Sequence, residues 1–464
     1  MTARRLIVWL IFLAAAVSLY FMSDALDNRA AKTQTQRDRL VTLSDPLNVQ
    51  SLELSGVATP KTIRIERREK QHGWEMLTPV RCPADGVVVG QLLSAVVEGK
   101  IQRRLNDPGN LKQFGLQPPI LKLVLSDRSG SKAVLWLGER SPNQEFVYAS
   151  APGVNQVWML SPAVLAAVNR TVLDLRDKSA LDFVLSQVES LELSAGKTQL
   201  SLKRVRGGAD PLWKLADGSE ADSEEVEDLL LKLHALRAVD ILDEGIIPRR
   251  MGLEPPAGKV VLGIAGGGPK GLLLGGKVAG RDETYLRRQS GGPVLVLKSA
   301  ALAPLRTVTA FQLQQRRLLR FKRDQATALT LQRGAQTLEF GKPKGVWLRT
   351  KPAGDVRSGE GVYGLVWALS ELKWQKILGK NAQLGLDKPQ AVITLTIQAA
   401  GKKPPAKPKQ VVIKLGQVDP ASRLLAVQVG GDEQVYGVKT DLLKDLPSAP
   451  AAPGKTPDGK KKDK

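Results

Sequence analysis

Cysteine is nearly absent: Cys82 is the only one in 464 residues, which excludes an intrachain disulfide framework and any site built from several thiolates. Histidine is almost as scarce. With His72 and His234 alone, there is little material for imidazole chemistry. Acidic residues are in the minority, 46 against 68 basic ones, and the net charge of +22 suits polyanions such as nucleic acid, anionic lipid or acidic envelope polymers. Part of that excess falls in two Pro- and Lys-rich stretches, KKPPAKPK at Lys402 to Lys409 and the tail after Leu446, so the folded part is less basic than the total.

What is abundant is repetition. The run Gly-Leu-x-x-Pro occurs at Gly115 to Pro119, Gly252 to Pro256 and Gly385 to Pro389. A tryptophan precedes each by 41, 39 and 38 residues: Trp74, Trp213 and Trp347. Each copy leads into alternating apolar residues and a Leu-Gly pair, at Leu137-Gly138, Leu274-Gly275 and Leu415-Gly416. Upstream, VQSLELSG (Val49 to Gly56), VESLELSA (Val188 to Ala195) and ATALTLQR (Ala326 to Arg333) share the two-residue period of a half-buried strand. The same module is written three times, and the spacing predicts an antiparallel sheet in each.

A helix is predicted after each Trp strand. In the second repeat Asp222 and Glu225 form a capping-box pattern, followed by Val226, Leu229, Leu230, Leu233 and Leu236 at helical spacing. Asp85 and Asp355 hold the matching place in the other repeats, and caps explain all three aspartates better than a carboxylate site. A shorter second helix is predicted to open at Ser161, Ser299 and Thr440. The Gly-Leu-x-x-Pro runs need Gly at a helix end or tight turn and Pro to stop the helix.

Ahead of the repeats, Leu6 to Met22 is an apolar run of 17 residues preceded by Arg4 and Arg5, long enough to span a bilayer as a helix. A cleaved signal peptide is the rival reading; continued apolar character through Leu19 to Met22 favours an uncleaved anchor. Asp24 and Asp27 directly after the run place the bulk of the chain outside the cytoplasm, on the inner membrane. The expected organisation is an anchor over 1–22, a polar stalk over 23–45, repeat domains over 46–181, 182–319 and 320–447, and a disordered tail over 448–464. The expected fold class is α+β: an N-terminal transmembrane helix, then three tandem β-rich repeats, each an antiparallel sheet with two helices.

No motif carries chemistry. Gly266 to Gly271 superficially resembles a phosphate-cradling loop, but strand follows it rather than the required helix, so it reads as a turn. His234 lies at the edge of an apolar helical face with no nucleophile signature, and Cys82 reads as a structural thiol. The densest basic cluster, Arg316, Arg317, Arg320, Lys322 and Arg323, could touch an anionic surface, but it lacks interleaved aromatics apart from Phe321 and falls at a repeat junction. Trp367 and Trp374, seven apart and read as lying on the third helix off its core stripe, either seal one repeat against the next or mark a partner surface. No cofactor, metal or catalytic set is assigned, and no nucleic acid is expected.

The anchor, the Trp strand leading to Ala-Asp before a helix (Ala84-Asp85, Ala221-Asp222), the Gly-Leu-x-x-Pro runs and the Leu-Gly closings resemble the bacterial family called domain of unknown function 4340 over residues 46 to 447. Gly354-Asp355 and the Lys-Pro insert depart from the pattern in the third repeat. The resemblance implies a membrane-anchored protein found beside ABC transporter components associated with gliding motility, and brings no catalytic residues. The expected function is a non-enzymatic envelope subunit that binds a protein partner. An envelope hydrolase or polymer-modifying enzyme, and a binder of anionic envelope polymers, are the alternatives.

Overall fold

The structure, a computed structural model, describes residues 38–41, 45–68, 73–205, 212–352, 359–380, 384–398 and 408–447. The first repeat supplies β1 (Val49–Gly56), β2 (Thr59–Arg68), β3 (Gly73–Thr78), β4 (Cys82–Ala84), helix α1 (Gly86–Val97), β5 (Arg103–Asn106), β6 (Leu121–Asp127), β7 (Lys132–Arg140), β8 (Val147–Ser150) and β9 (Gln156–Leu160). Two short helices, α2 (Pro162–Val168) and α3 (Val172–Leu175), close it. These nine strands form one antiparallel sheet in the order β4-β3-β2-β1-β6-β7-β8-β9-β5.

The second repeat gives β10 (Val188–Ala195), β11 (Thr198–Val205), β12 (Leu212–Leu215), β13 (Glu220–Ala221), α4 (Ser223–His234), β14 (Asp240–Leu242), β15 (Gly258–Ile264), β16 (Lys270–Lys277), β17 (Glu283–Arg288) and β18 (Val294–Lys298), then α5 (Ala303–Thr307) and α6 (Ala310–Leu313). Its nine strands keep the order of the first sheet. The third gives β19 (Ala326–Arg333), β20 (Gln336–Gly341), β21 (Leu348–Lys351), α7 (Glu360–Ser370), β22 (Lys376–Lys380), β23 (Ala391–Ile397), β24 (Lys409–Val418), β25 (Leu425–Val429) and β26 (Gln434–Val438). Eight strands run β21-β20-β19-β23-β24-β25-β26-β22.

The α+β expectation is corrected here. Strands hold 45% of the described residues against 21% for helices, so the architecture is mostly β. The second helix of each repeat is the weak point: α2 has seven residues, and Thr440–Leu443 is a single 3-10 turn. Ser161 caps as expected, its Oγ accepting from the Ala163 amide, but the buried Ser299 hydroxyl pairs with Thr284 at 3.0 Å. No helix among the described residues is long and apolar enough to cross a membrane, and the expected anchor at 1–22 lies outside them, as do Asp355, the Lys-Pro insert to Lys407 and the tail.

Each described long helix lays one apolar face on its sheet. In α1 these are Val89, Leu92, Leu93, Val96 and Val97, packed with Leu52, Leu54, Ile63 and Ile65 from β1 and β2. Each such side chain contributes at most about 1.5–3 kcal/mol, an upper limit because the unfolded chain already buries some of it. The cap is as read: Asp85 Oδ1 accepts from the Val87 and Val88 amides at 3.0 and 3.2 Å. Trp74, Trp213 and Trp347 are all buried. A cation lies over each ring, Arg67 at 4.7 Å, Arg204 at 6.0 Å and Lys342 at 5.8 Å.

The opposite face of the sheet is covered by the Gly-Leu-x-x-Pro run. Leu116 joins Phe114 and Val157 in a small second core, and Leu386 does the same with Ala426 and Val435. Gly115 has φ 66° at the end of the turn Leu111–Phe114, and Gly252 and Gly385 adopt 66° and 74°. The Leu-Gly glycines sit directly against this run. A Cβ on Gly138 would lie 2.0 Å from the Phe114 carbonyl oxygen, on Gly275 2.5 Å from that of Met251, and on Gly416 2.4 Å from that of Leu384. The two motifs are therefore one contact made three times.

The chain separates into two compact units, Met1–Gln199 with Leu229–Thr307, and Leu200–Asp228 with Val308–Lys464. The boundaries fall inside the middle repeat. Within the first unit, the connector after α3 bridges backward and forward: Arg176 pairs with Ala84, and Ser179 pairs with Arg237 beyond α4. Within the second, Gln314 pairs with Ala221 and Arg317 with Lys373. The strand-like segment at Arg39, paired with Lys100, holds the same place before the first repeat.

Gly275→Ala should lose about 1–3 kcal/mol, because the carbonyl oxygens of Met251 and Tyr285 leave no room for a methyl group. Gly268→Ala, with open space around it, should stay within about 0.5 kcal/mol of the parent. Chemical denaturation of both variants checks the contrast; equal stabilities would refute it. Trp213→Ala should cost about 3–5 kcal/mol through lost burial and a cavity, read as a lowered unfolding midpoint.

Candidate functional site

The basic cluster meets Trp374, one of the two tryptophans singled out in the sequence, in the second unit. Helix α7 ends at Ser370, whose Oγ donates to the Trp367 carbonyl at 2.7 Å. Trp374 is therefore not on the helix, as the spacing had suggested. The chain has already left to pair with the connector: the Trp374 amide donates to the Arg316 carbonyl at 2.9 Å, and the Leu318 amide to that of Leu372 at 2.9 Å.

Trp374 packs edge-on against Phe311 with ring centres 5.7 Å apart. The Arg316 guanidinium lies 4.3 Å from the Phe311 ring centre and donates to the Trp374 carbonyl at 3.1 Å. Burial lowers the pKa of Arg316, partly offset by Glu225 and Asp222. Arg316 and Trp374 serve packing. Arg317 is held by Glu224 and Glu371 at 2.7 and 3.0 Å, and Arg320 by Glu220 at 2.9 Å. Arg320, Lys322 and Arg323 stand exposed, and Arg316 and Arg317 are half-buried.

Sequence reasoning missed Lys373. Its ammonium lies 3.0 Å from Asp222 Oδ2 and 2.8 Å from Glu225 Oε1, with Asp222 almost fully buried. Burial works against its charge, but the hydrogen bonds to Glu225 and Asp222 win and hold its pKa above the ordinary lysine value. Asp222 thus does two jobs, since Oδ1 also accepts from the Glu224 amide at 3.2 Å at the start of α4. A signal existed: Lys373 follows Leu372, the last apolar residue of the third helical stripe, and the capping carboxylates precede α4.

In the first unit, Arg176 is buried and donates twice to Asp243, at 2.6 and 2.9 Å. That pairing raises its pKa, while burial chiefly raises that of the neighbouring Cys82 thiol. An inert thiol follows. His234 packs edge-on against Phe183 at 5.3 Å. Gly266 to Gly271 forms the turn between β15 and β16 and the start of β16.

Two exposed features remain on the second unit. Trp367 is 54% exposed and Tyr363, one turn earlier on α7, 49% exposed; the Trp347 amide donates to the Tyr363 hydroxyl at 3.3 Å. A cleft of about 580 Å³ is lined by Arg317, Leu318, Leu319, Arg320, Ile397, Lys409, Gln410, Val411, Val429, Gly430 and Gly431. Among the described residues, no group of three His, Cys, Asp or Glu side chains is placed to hold a metal ion.

The model of the family described as "Domain of unknown function (DUF4340)" matches residues 74–246. That segment resembles the family. The match begins at Trp74 in β3 and ends just past β14, so it takes in parts of the first and second repeats and neither one whole. No curated protein and no solved structure matches the chain.

Lys373→Met leaves Asp222 buried beside a missing cation and should destabilise the second unit by about 3–5 kcal/mol at neutral pH. Because the folded-state pKa of Lys373 is raised, its contribution is complete at neutral pH. It is lost as pH climbs through the ordinary value of 10.5 and beyond. Unfolding midpoints of parent and variant should stay apart at neutral pH and converge in that alkaline range; equal midpoints at pH 7 would contradict the assignment.

Proposed function

We propose that the protein is a non-enzymatic binding or scaffold subunit of the cell envelope, working beside a transporter complex of the ABC type. The observation that carries this reading is the aromatic pair Tyr363 and Trp367. At the equivalent positions α1 has Gly90 and Ser94, and α4 has Glu227 and Leu231. One copy of the module has thus acquired a wide apolar surface on a helix whose other side is fully used in the core, at Val362, Leu365, Val366 and Leu369. Beyond the hydrogen bond that the Tyr363 hydroxyl accepts from the Trp347 amide, these half-exposed aromatic side chains leave much of their surface unused by the fold, and they are the residue types that dominate protein interfaces.

The resemblance to the family supplies the transporter as the partner. The cationic surplus suits attachment near anionic envelope material and adds an electrostatic, salt-sensitive component to encounter. The three sheets supply rigid elements for display, and the repeat domains over 46–181, 182–319 and 320–447 are proposed as the units of that display.

A tagged chain recovered from gently solubilised envelopes should bring a partner with it. The double variant Tyr363→Ala, Trp367→Ala should reduce recovery of that partner by about 30-fold or more, the effect of losing a hot spot of at least 2 kcal/mol, with little change in unfolding temperature. Undiminished recovery by the variant, or an isolated monomer under several detergents, would sink the proposal.

A further inference from the structure

We infer that the cleft of the third repeat receives an acidic, apolar-bodied peptide segment of a protein partner. The inference rests on the binding-subunit reading and names the chemistry of one contact. It starts from a comparison of the second and third repeats, in which strand register fixes the equivalences. Leu272 pairs with Arg288 as Ile413 pairs with Val429, and Leu262 pairs with Lys270 as Leu395 pairs with Val411. The connectors align as well, Ser179 with Arg237 and Arg317 with Lys373. Ser179, Ala180 and Asp182 therefore correspond to Arg317, Leu318 and Arg320.

In the second repeat this place is plugged. The Arg288 guanidinium donates to the carbonyls of Ser179 and Ala180 at 2.5 and 3.1 Å, and the Lys270 ammonium donates to the carbonyl of Asp182. In the third repeat two valines stand where those plugging side chains were, and the cleft of about 580 Å³ opens over them. Its volume is that of a site for a small ligand or a few residues of peptide.

The lining states what fits. Leu318, Ile397, Val411 and Val429 give an apolar floor, and no lining residue is acidic. Relative to the second repeat, the connector has arginines in place of Ser179 and Asp182, and at the two plugging strand positions valines replace Lys270 and Arg288. Arg317 and Arg320 are already balanced by Glu224, Glu371 and Glu220. Exposed Lys409 has no carboxylate within ion-pairing distance among the described residues, so it is the cation left to receive an anion. An apolar side chain seated on the valines, next to a carboxylate on the rim at Lys409, satisfies both halves of the lining.

The probe is the peptide N-acetyl-Leu-Leu-Glu-amide, titrated into the full chain by calorimetry, with the Gln and Arg analogues as controls. Saturable binding of the Glu peptide is expected, with the Gln peptide weaker by about two- to fivefold, the range of one exposed ion pair. Lys409→Gln should remove that difference. Val429→Arg restores the plug of the second repeat and should weaken the Glu peptide at least tenfold without lowering the unfolding temperature; Val411→Lys is the second variant if the first does not fold. Equal binding by the plugged variants, no saturable binding to the parent, or an Arg peptide that binds as well as the Glu peptide would each overturn the inference. The last outcome would assign the cleft to a guanidinium like that of Arg288. Partner recovery through Tyr363 and Trp367 is read in a separate measurement, so either proposal can fail alone.

Discussion

Three times in this chain a backbone carbonyl presses on a glycine so closely that only hydrogen fits between them. Phe114 on Gly138, Met251 on Gly275 and Leu384 on Gly416 lock the Gly-Leu-x-x-Pro run onto the end of the following hairpin. Much else follows from this approach. It seats Leu116 and Leu386 on the sheet face away from the helix, giving each of those repeats a second small core. With both faces partly covered, the central strands carry buried residues on one side and half-buried ones on the other, as in β6 and β23.

Much of this was legible in the sequence, and for identifiable reasons. Strand alternation such as Leu52 and Leu54, helix stripes such as Leu229, Leu230 and Leu233, and the cap at Asp85 are local patterns whose physics acts within a few residues. The turn glycines of the Gly-Leu-x-x-Pro runs were legible for the same reason. The Leu-Gly glycines were not, because their need arises from a neighbour 23 or more residues away. Helix content was overread: apolar spacing after Ser299 or Thr440 fits a helix, but only one or two turns form there. Trp374 shows the limit in small, since heptad spacing from Trp367 is no evidence once the chain has left the helix.

The site was harder still. Arg316, Arg317 and Arg320 were visible as a charge cluster, yet their roles differ: one stacks on Phe311, and two answer carboxylates placed before and in α4 or just after α7. Sequence shows charge but not its partner. Lys373 illustrates the converse, an unremarked lysine that bridges the nearly buried Asp222 and the half-exposed Glu225. Trp367 was already readable in the sequence as lying off the core stripe and as a candidate partner surface, whereas Tyr363 emerges only when the exposed positions of the three helices are compared.

The division of the middle repeat between two compact units has a consequence for how the chain can be cut and inherited. The unit of duplication, about 138 residues long by the offset between equivalent strands, is out of phase with the unit of compaction. The family match over 74–246 is out of phase with the repeats as well, starting at the Trp strand of the first and stopping just past β14 of the second. A gene fragment that encodes one whole repeat would therefore encode no whole compact body, and each connector in it would lose the β-bridge it makes to one neighbour. Gain or loss of a single copy would expose backbone that is now paired, a cost set by hydrogen bonds rather than by any function of the copy.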